Sequence, residues 1–377
     1  MHIVFITSEY PFKNFSHGGV GSFLKTFSSE LLKNGLDVSI VFFNNHCEGN
    51  FNLDGVNLIL IKNSNVRGFS WYLNYRKLNN TLEKLHLENP ISIIEGAEMS
   101  FFWIRKLPGV KYVIRLHGGH HFFSTAENRN INLWKGIQEK ISFKRSDAFI
   151  GVSNFSVTET SKYLNFGNKP LEIICYSISS DHFYPRPEIK VIPYSLAFAG
   201  TVCEKKGVRQ LLCALELLIV DFPYVHLNLY GRDWSYPNGD SYMQEMKNSF
   251  SQISSFFTFH GSLSYDKLPL AYAEAEICIF PSHSETQGLV APEAMAMQKP
   301  VIFTSLGPGP ETIEHGINGW LCNPFDPIDI ASKIREAFYQ RESFSKIGEN
   351  AKRKALEKFS TSINVKKNLD FYRSLSF

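Results

Sequence analysis

Short apolar runs alternate along the chain with segments whose apolar residues recur at helical spacing, and this alternation predicts an α/β protein. In the first half, buried strands are predicted at 2–8, 37–43, 91–95 and 112–116. In the second half they are predicted at 196–201, 227–230, 256–259, 277–280 and 301–304. Because helical segments separate these strands, we expect doubly wound parallel sheets. The stretch 176–187 lacks the periodicity and contains two prolines, which indicates a linker between domains.

The loop after the strand predicted at 277–280 contains two carboxylates at E-x7-E spacing, those of Glu285 and Glu293. Open α/β sheets bind ligands at the carboxyl ends of their strands, so this loop is expected to face a ligand. A short helix follows, and backbone amides at its N-terminus are expected to point toward an anion. The residues that carry these amides are Gly288, Leu289 and Val290. Taken alone, two such carboxylates are also typical of a solvated surface.

The composition is that of an ordinary globular protein of 377 residues, with 44% hydrophobic and 20% charged residues. The sequence has no apolar run of membrane-spanning length, and its first strand leads directly into a charged aromatic loop, so we predict neither a membrane span nor a signal peptide. The six cysteines lack C-x-x-C spacing and are expected to be reduced thiols in a cytoplasmic protein. The net charge of +3 does not favour nucleic-acid binding.

The E-x7-E pattern, with Gly288-Leu289 inside it and Ala294-Met295-Ala296 after it, resembles the donor-site signature of the GT4 family of retaining glycosyltransferases. The resemblance covers nearly the whole chain and is strongest over 196–322. In that family the first Glu lies beside the donor hexose, and the second accepts hydrogen bonds from the ribose hydroxyls of the nucleotide. The resemblance therefore implies a catalytic role for Glu285 and a donor-binding role for Glu293. It implies donor binding also for Gly288, Leu289 and Val290.

The resemblance also implies a GT-B fold, in which two Rossmann-like, doubly wound parallel-sheet domains face a deep cleft. The segment 176–187 is similar to the segment that joins the two domains in the family. We therefore expect an N-terminal acceptor-binding domain over 1–182 and a C-terminal domain over 183–359 that binds a nucleotide-sugar donor. A C-terminal helix over 360–377 is expected to return to the N-terminal domain.

Two loops of the first half are further candidates. The glycine cluster around Gly19 separates a strand from a helix and exposes backbone amides, although such clusters also occur in flexible turns. The similar loop of GT4 proteins faces the donor diphosphate, which implies donor binding by Gly19. His117 matches a family histidine next to the donor sugar, which implies a catalytic role; the alternative is a loop histidine without function. The neighbouring His120 and His121 have no carboxylate at ligand spacing close in the sequence, so no metal site is predicted.

The segment 200–207 resembles the family element in which an Arg and a Lys bind the donor diphosphate. Lys206 matches the lysine, but Thr201 stands at the arginine position, which leaves one cation missing. Because a desolvated diphosphate requires at least two cationic partners, we expect a substitute. Lys205 and Arg232 are the candidates, and we predict that Arg232 binds the diphosphate together with Lys206.

Aromatic and basic residues lie together in the first half, over 67–77 and 101–106. The mixture is typical of a membrane interface and equally of an ordinary half-buried helix. Peripheral contact of the N-terminal domain with the inner face of a membrane is therefore one of two open alternatives.

The function that the resemblance implies is transfer of a sugar from a UDP- or GDP-sugar to a hydroxyl of a glycan or lipid-linked acceptor, in polysaccharide or glycolipid assembly. No metal or other cofactor is expected, since Lys206 and helix N-termini stabilise the leaving diphosphate. One alternative is a non-catalytic partner protein on a degenerate GT-B scaffold, which Thr201 favours and Glu285 opposes. The other is a GT-B sugar-nucleotide epimerase, whose signature histidines and carboxylates are not seen.

Overall fold

The computed structural model describes residues 1–13, 15, 18–127 and 129–375. The chain forms two compact units. Unit 1 comprises Met1–Ser177 together with Thr361–Phe377, and unit 2 comprises Ile178–Ser360. The change from one unit to the other thus lies within the stretch 176–187, before residue 182, where the sequence placed the end of the first domain.

The described residues of unit 1 contain an eight-stranded sheet in the order β3-β4-β2-β1-β5-β6-β7-β8. Its strands are β1 His2–Thr7, β2 Asp37–Asn44, β3 Gly49–Leu53, β4 Val56–Lys62, β5 Ile91–Gly96, β6 Lys111–Leu116, β7 Ala148–Gly151 and β8 Leu171–Ile173. Neighbouring strands are parallel except for the antiparallel pair β3 and β4. Every residue of β1 is buried, as expected for a central strand covered by helices on both faces.

Helices of unit 1 connect these strands. They are α1 Gly19–Lys33, α2 Ser70–Glu88, α3 His120–Ala126, α4 Leu133–Arg145 and α5 Asn154–Ser161. In α1, the side chains of Phe23, Phe27 and Leu31 recur every four residues and are buried. These side chains face the sheet, so the residues at apolar spacing in the sequence form the face of the helix that packs against it.

Unit 2 contains a six-stranded sheet in its described residues, with the order β11-β10-β9-β12-β13-β14 and parallel pairing throughout. The strands are β9 Ser195–Ala199, β10 His226–Tyr230, β11 Phe257–Gly261, β12 Ile277–Phe280, β13 Val301–Thr304 and β14 Trp320–Cys322. The α-helices are α6 Val208–Leu218, α7 Tyr242–Ser249, α8 Leu268–Glu274, α9 Val290–Ala296, α10 Gly309–Thr312, α11 Pro327–Tyr339 and α12 Phe344–Phe359. Short 3₁₀ turns lie at Glu204–Lys206, Ser251–Phe256, Tyr265–Lys267 and Arg341–Ser343. The prediction of two doubly wound parallel sheets is confirmed.

The last helix, α13 Thr361–Leu375, belongs to unit 1 and packs against α1. Ser376 and Phe377, which the sequence placed in the same helix, lie outside the described residues. A buried cluster joins α13 to the sheet. Arg115 on β6 donates to Glu95 of β5 and to the Asn368 side chain of α13, each at 2.6 Å. Because Arg115 and Glu95 are almost fully buried, each depends on the other to offset the cost of burying its charge.

Candidate functional site

Two loops of unit 2 bring Lys206 and Glu285 together. Lys206 ends the 3₁₀ turn after β9, and Glu285 lies in the loop after β12. The Lys206 ammonium donates to the Glu285 carboxylate in a partly buried ion pair. The backbone N–H of His283 donates to the carbonyl oxygen of Lys205 at 2.9 Å, which ties the two loops to each other. A cation and a carboxylate are thus held side by side at the carboxyl ends of neighbouring strands β9 and β12.

Gly288 is required by the path of the second loop. Its φ of +77° lies in the left-handed region, and a Cβ there would come within 2.8 Å of the Phe303 ring. The loop can therefore pack against β13 only with glycine at this position. Leu289 then precedes α9, and Val290 is the first residue of that helix. All three residues lie where the sequence placed them, and their role in donor binding remains a prediction.

Glu293 lies in α9 and is 8% exposed. Burial raises the pKa of its carboxyl from the ordinary value of 4.5 to about 8. Tyr272, on α8, is fully buried, and burial, followed by the proximity of Glu293, raises the pKa of its phenol well above the ordinary value. Glu293 therefore carries a proton at neutral pH in the unliganded protein and is able to ionise when a ligand favours the carboxylate.

Arg232 follows β10 and lies beside the residue that stands at the family's arginine position. Its Nε donates to the hydroxyl oxygen of Thr201 at 3.3 Å, and the backbone N–H of Val202 donates to the Arg232 carbonyl at 2.9 Å. The guanidinium of Arg232 thus reaches the loop of Thr201 from the neighbouring strand. The guanidinium therefore lies at the loop that resembles the family's diphosphate-binding element, and its contact with a diphosphate remains a prediction.

His117 follows β6 in unit 1 and is held by a tyrosine that the sequence analysis placed in the linker. The Tyr176 hydroxyl and His117 Nδ1 form a hydrogen bond, and the two rings are stacked with centroids 5.7 Å apart. Burial, followed by the charge of Arg115, lowers the pKa of His117 to about 3. Burial also raises the pKa of Tyr176 well above its ordinary value, so the phenol keeps its proton. We assign the Tyr176 hydroxyl as the donor to Nδ1 of a neutral imidazole, which places the ring proton on Nε2.

A cavity of about 720 Å³ lies within unit 1, next to His117. Glu98, two residues after the end of β5, contributes a carboxyl to its wall and accepts a 2.8 Å hydrogen bond from the Gly118 N–H. Burial, and then the charge of Glu139, raises the pKa of Glu98 to about 8. The wall of this cavity thus combines a neutral imidazole with a carboxyl that carries a proton at neutral pH.

The paired histidines have a carboxylate partner that is distant in the sequence. Glu139, fully buried on α4, accepts hydrogen bonds from the backbone N–H groups of His120 and His121 and contacts the His121 ring. Because Glu139 lies 18 residues from His121 in the sequence, no local pattern predicted this contact. Across the residues that the structure describes, no group of three or more His, Cys, Asp or Glu side chains is arranged to hold a metal ion.

The glycine loop leads into α1, which begins at Gly19. The N–H of Gly18 donates to the Glu9 carboxylate at 2.9 Å, so a carboxylate of the chain itself lies at the start of α1. Glu9 also lines the cavity next to His117. The loop thus exposes an amide to an anionic group, as expected for such a loop, but the donor-binding role of Gly19 stays a prediction.

Two protein-family models match the chain. The model described as Glycosyltransferase Family 4 matches residues 17–181, and the one described as Glycosyl transferases group 1 matches residues 193–339. The first match lies almost entirely in unit 1 and ends four residues into unit 2, and the second lies within unit 2. Lys206, Glu285 and Glu293 all lie within the second match.

Several curated proteins with similar sequences carry the names of sugar transferases. The sulfoquinovosyl transferase SQD2 of Arabidopsis thaliana is 36% identical over 31% of this chain and 23% of its own length. An uncharacterized glycosyltransferase of Methanocaldococcus jannaschii is 32% identical over 41% of each chain. These matches therefore span less than half of the relatives concerned. A second uncharacterized glycosyltransferase of M. jannaschii is 23% identical over 99% of this chain and 98% of its own.

Solved structures of similar fold extend over the full chain. Sucrose-phosphate synthase from Thermosynechococcus elongatus has a TM-score of 0.85 at 17% identity, covering 100% of this chain and 99% of that chain. Anabaena HepE in complex with UDP and glucose has a TM-score of 0.78 at 15% identity, covering 99% of this chain and 100% of that chain. At this identity the likeness concerns the fold, and it confirms the expected GT-B architecture.

Proposed function

We propose, from the premise that this chain belongs to glycosyltransferase family 4, that it transfers a sugar from a nucleotide-sugar donor to an acceptor hydroxyl with retention at the anomeric carbon. The contact between Lys206 and Glu285 carries the proposal. In a nucleotide sugar the anionic diphosphate is bonded directly to the anomeric carbon. A cation in contact with a carboxylate is complementary to this bond between phosphate and sugar. Lys206 would contact the phosphate, and Glu285 would contact the sugar.

In the proposed reaction the bond between the anomeric carbon and the diphosphate oxygen breaks, and its electron pair stays with the diphosphate. Lys206 and Arg232 stabilise the charge that develops there. Glu285 orients sugar hydroxyls and stabilises the positive charge on the sugar. The acceptor oxygen forms its bond on the face that the phosphate leaves, and the acceptor proton passes to the departing phosphate. Retention follows because bond breaking and bond formation take place on the same face.

The acceptor is assigned to the cavity of unit 1. Its wall offers the Nε2–H of His117 as a donor, and the Glu98 carboxyl can donate or accept while it is protonated. Such groups suit a hydroxyl-rich acceptor, a glycan or a lipid-linked sugar. A role in polysaccharide or glycolipid assembly is supported by the likeness to the capsular polysaccharide biosynthesis glycosyltransferase CapM of Staphylococcus aureus, 23% identical over 45% of this chain and 43% of its own.

The donor is proposed to be a UDP- or GDP-sugar. Anabaena HepE, which shares the fold, has been solved with UDP-glucose, and this supports UDP as the first nucleotide to test. We also propose that transfer requires no metal, because Lys206 and Arg232 supply positive charge for the diphosphate. The proposed location is the cytoplasm, where nucleotide sugars are the substrates of such a reaction.

The proposed function is tested by incubating the purified chain with UDP- and GDP-sugars, with and without glycan or lipid-linked acceptors. Acceptor-dependent release of UDP or GDP, with the product linkage in the anomeric configuration of the donor by NMR, is the expected result. Epimerisation of the sugar nucleotide without an acceptor would instead identify an epimerase. Binding of neither donor nor nucleotide across the panel would favour a non-catalytic partner protein. A product of opposite configuration would contradict retention.

A first prediction concerns the two cations. Lys206→Ala and Arg232→Ala are each expected to weaken binding of the nucleoside diphosphate by about 1.5 to 3 kcal/mol, because each removes one charge-assisted contact with phosphate. Binding of the plain nucleoside should change little in either variant. The double variant should lose less than the sum of the single losses, because both cations address one group. Isothermal titration calorimetry measures all of these affinities.

Lys333→Ala is the matched control, since it removes a lysine of unit 2 whose recorded ion pair is with Glu336 on the same helix. It should bind nucleoside and nucleoside diphosphate as the parent does. If Arg232→Ala also leaves diphosphate binding unchanged, Arg232 does not replace the missing arginine. Lys205 is then the next candidate for this role.

A second prediction concerns Tyr176, which fixes the tautomer of His117. Tyr176→Phe keeps the ring stacking and removes the hydroxyl, so the imidazole loses its preference for the Nε2–H form. Because a neutral hydrogen bond contributes about 1 kcal/mol, kcat is expected to fall roughly five- to tenfold. Nitrogen NMR of the His117 ring should change from one tautomer in the parent to a mixture in the variant.

Tyr112→Phe is the control, because it removes another hydroxyl of unit 1 that accepts a backbone hydrogen bond, from Leu107 at 2.8 Å. It is expected to lower the melting temperature and leave kcat and the His117 spectrum unchanged. An unchanged His117 spectrum in Tyr176→Phe would show that the hydroxyl does not set the tautomer.

A further inference from the structure

Aromatic and aliphatic side chains of unit 1 form one exposed patch, which we call the aromatic-basic patch. Its centre is Trp71 on α2, whose ring centroid lies 5.5 Å from that of Trp103 and 5.9 Å from that of Trp134. Trp103 is 51% exposed and Trp134 is 45% exposed, and the neighbouring Leu133 is 82% exposed. Large apolar side chains that are contiguous and exposed indicate an interaction surface. Only the part over 67–77 and 101–106 was suggested by the sequence, because α4 contributes the rest.

The segments of the patch are rich in basic side chains, of which Lys77, Arg105 and Lys106 pair with Glu48, Glu83 and Asp147. On α4 the exposed residues Leu133, Ile137, Lys140 and Lys144 recur every three or four positions and share one face of the helix. The acidic residue of α4, Glu139, is fully buried and bonded to His121, so it does not offset these lysines at the surface. Residues 55–82 and 99–126 contain no Asp or Glu. These two segments and α4 therefore carry exposed cations and no exposed carboxylate. These cations include Arg67, Arg76, Lys135, Lys140 and Lys144.

The patch is continuous with the cavity of unit 1. Trp71, Tyr75 and Lys135 line the same cavity as His117 and Glu98. A molecule held at the patch is therefore next to the space assigned to the acceptor.

We propose that the aromatic-basic patch docks unit 1 onto a bilayer surface that contains anionic lipid. Tryptophan and tyrosine rings prefer the boundary between head groups and acyl chains, and exposed lysines and arginines are attracted to anionic head groups. The combination of three tryptophans with exposed cations on the same segments matches both layers of such a surface. None of the helices in the described part of the chain is long and apolar enough to span a bilayer. One part of this inference rests on the proposed function, namely that docking brings a lipid-linked acceptor close to the cavity.

Vesicle co-sedimentation without donor or acceptor tests docking separately from catalysis. The full chain is expected to bind vesicles of phosphatidylcholine with phosphatidylglycerol and to bind phosphatidylcholine alone at least tenfold less, with binding that weakens as salt is added. The variant Lys140→Glu/Lys144→Glu should bind the anionic vesicles at least about tenfold less than the parent. The variant Trp103→Ser/Trp134→Ser should lose binding to a similar degree.

Matched controls lie on unit 2. Lys190→Glu/Lys346→Glu reverses two exposed lysines, and Val220→Ser/Tyr224→Ser removes two side chains that are 81% and 79% exposed. Both controls should bind anionic vesicles as the parent does. Equal binding by the parent and by Lys140→Glu/Lys144→Glu would overturn the proposal. The proposal would also be overturned if the parent bound no vesicles and formed a dimer that is lost in Trp103→Ser/Trp134→Ser. That result would show that the patch binds a second copy of the chain. Docking of vesicles by a chain that transfers no sugar would support the patch and reject the proposed function alone.

Discussion

Glu285→Gln is expected to lower turnover about a hundredfold or more while free nucleoside diphosphate binds at least as tightly as to the parent. The carboxylate is assigned to the sugar, where positive charge develops only as the bond to phosphate breaks, so its loss removes stabilisation from the transition state. In the parent, Glu285 is the ion-pair partner of Lys206. Glutamine keeps the size of the side chain and removes its charge, which leaves the full charge of Lys206 for the diphosphate.

The measurement combines kcat from nucleotide release with calorimetry of nucleotide binding. Glu336→Gln is the matched control, because it neutralises another carboxylate of unit 2 that pairs with a lysine, Lys333 at 3.2 Å. It should leave both quantities unchanged. A Glu285→Gln protein that loses nucleotide binding and retains most of its turnover would show that the carboxylate serves the nucleotide instead of the sugar.

The sheets were accessible from the sequence because buried parallel strands are short continuous apolar runs. The strand predicted at 277–280 and the one predicted at 301–304 coincide with β12 and β13. The hairpin of β3 and β4 was missed, although Asp54-Gly55 is a typical two-residue turn and both residues have positive φ. Strand β3, Gly49–Leu53, alternates between half-buried and exposed residues and therefore has no apolar run to detect.

The site residues that belong to contiguous sequence motifs were predicted, and those outside such motifs were not. Lys206 and Glu285 were placed in loops at the carboxyl ends of strands, and the parallel order of β9 and β12 brings those loops together. Tyr176 was assigned to the linker because its segment has two prolines and no periodicity, whereas its contact with His117 spans 59 residues. Nothing in the chain near His117 indicates which distant hydroxyl will reach it. The partner of a buried polar group is set by the path of the whole fold, which a local pattern does not encode.

The roles of Glu139 and Trp134 were also not predicted, because their contact partners are distant in the sequence. Both lie on α4, the former facing the histidines of α3 and the latter facing Trp71 of α2. In the sequence α4 is an ordinary amphipathic helix with lysines. The contact partners of its two faces are set only in the folded protein, where α4 lies between α3 and the aromatic side chains of α2.

The buried carboxyl of Glu293 should make nucleotide binding depend on pH. Its pKa is about 8 in the unliganded protein, and ribose hydroxyls that donate to it favour the ionised form. Below pH 8 a proton must leave before the hydroxyls bind, so affinity should rise with pH toward 8 and then level off, by at most about tenfold per pH unit. Glu293→Gln keeps the volume but cannot ionise. At pH 8.5 it should bind nucleotide about 10- to 100-fold more weakly than the parent, corresponding to about 1.5 to 3 kcal/mol for hydrogen bonds to a charged group.

The phosphates of the nucleotide also titrate near neutral pH, but equally for both proteins, so the ratio of the two affinities isolates Glu293. Calorimetry from pH 6 to pH 8.5 should show this ratio increasing with pH. Thermal unfolding provides a second readout of the same carboxyl. Because its folded pKa lies above the ordinary 4.5, its protonated form contributes stability at low pH that is lost as pH rises toward 8. The variant should therefore gain melting temperature relative to the parent over that interval. A ratio of affinities that stays constant while the melting temperatures diverge would place Glu293 in the core of unit 2 and away from the ribose.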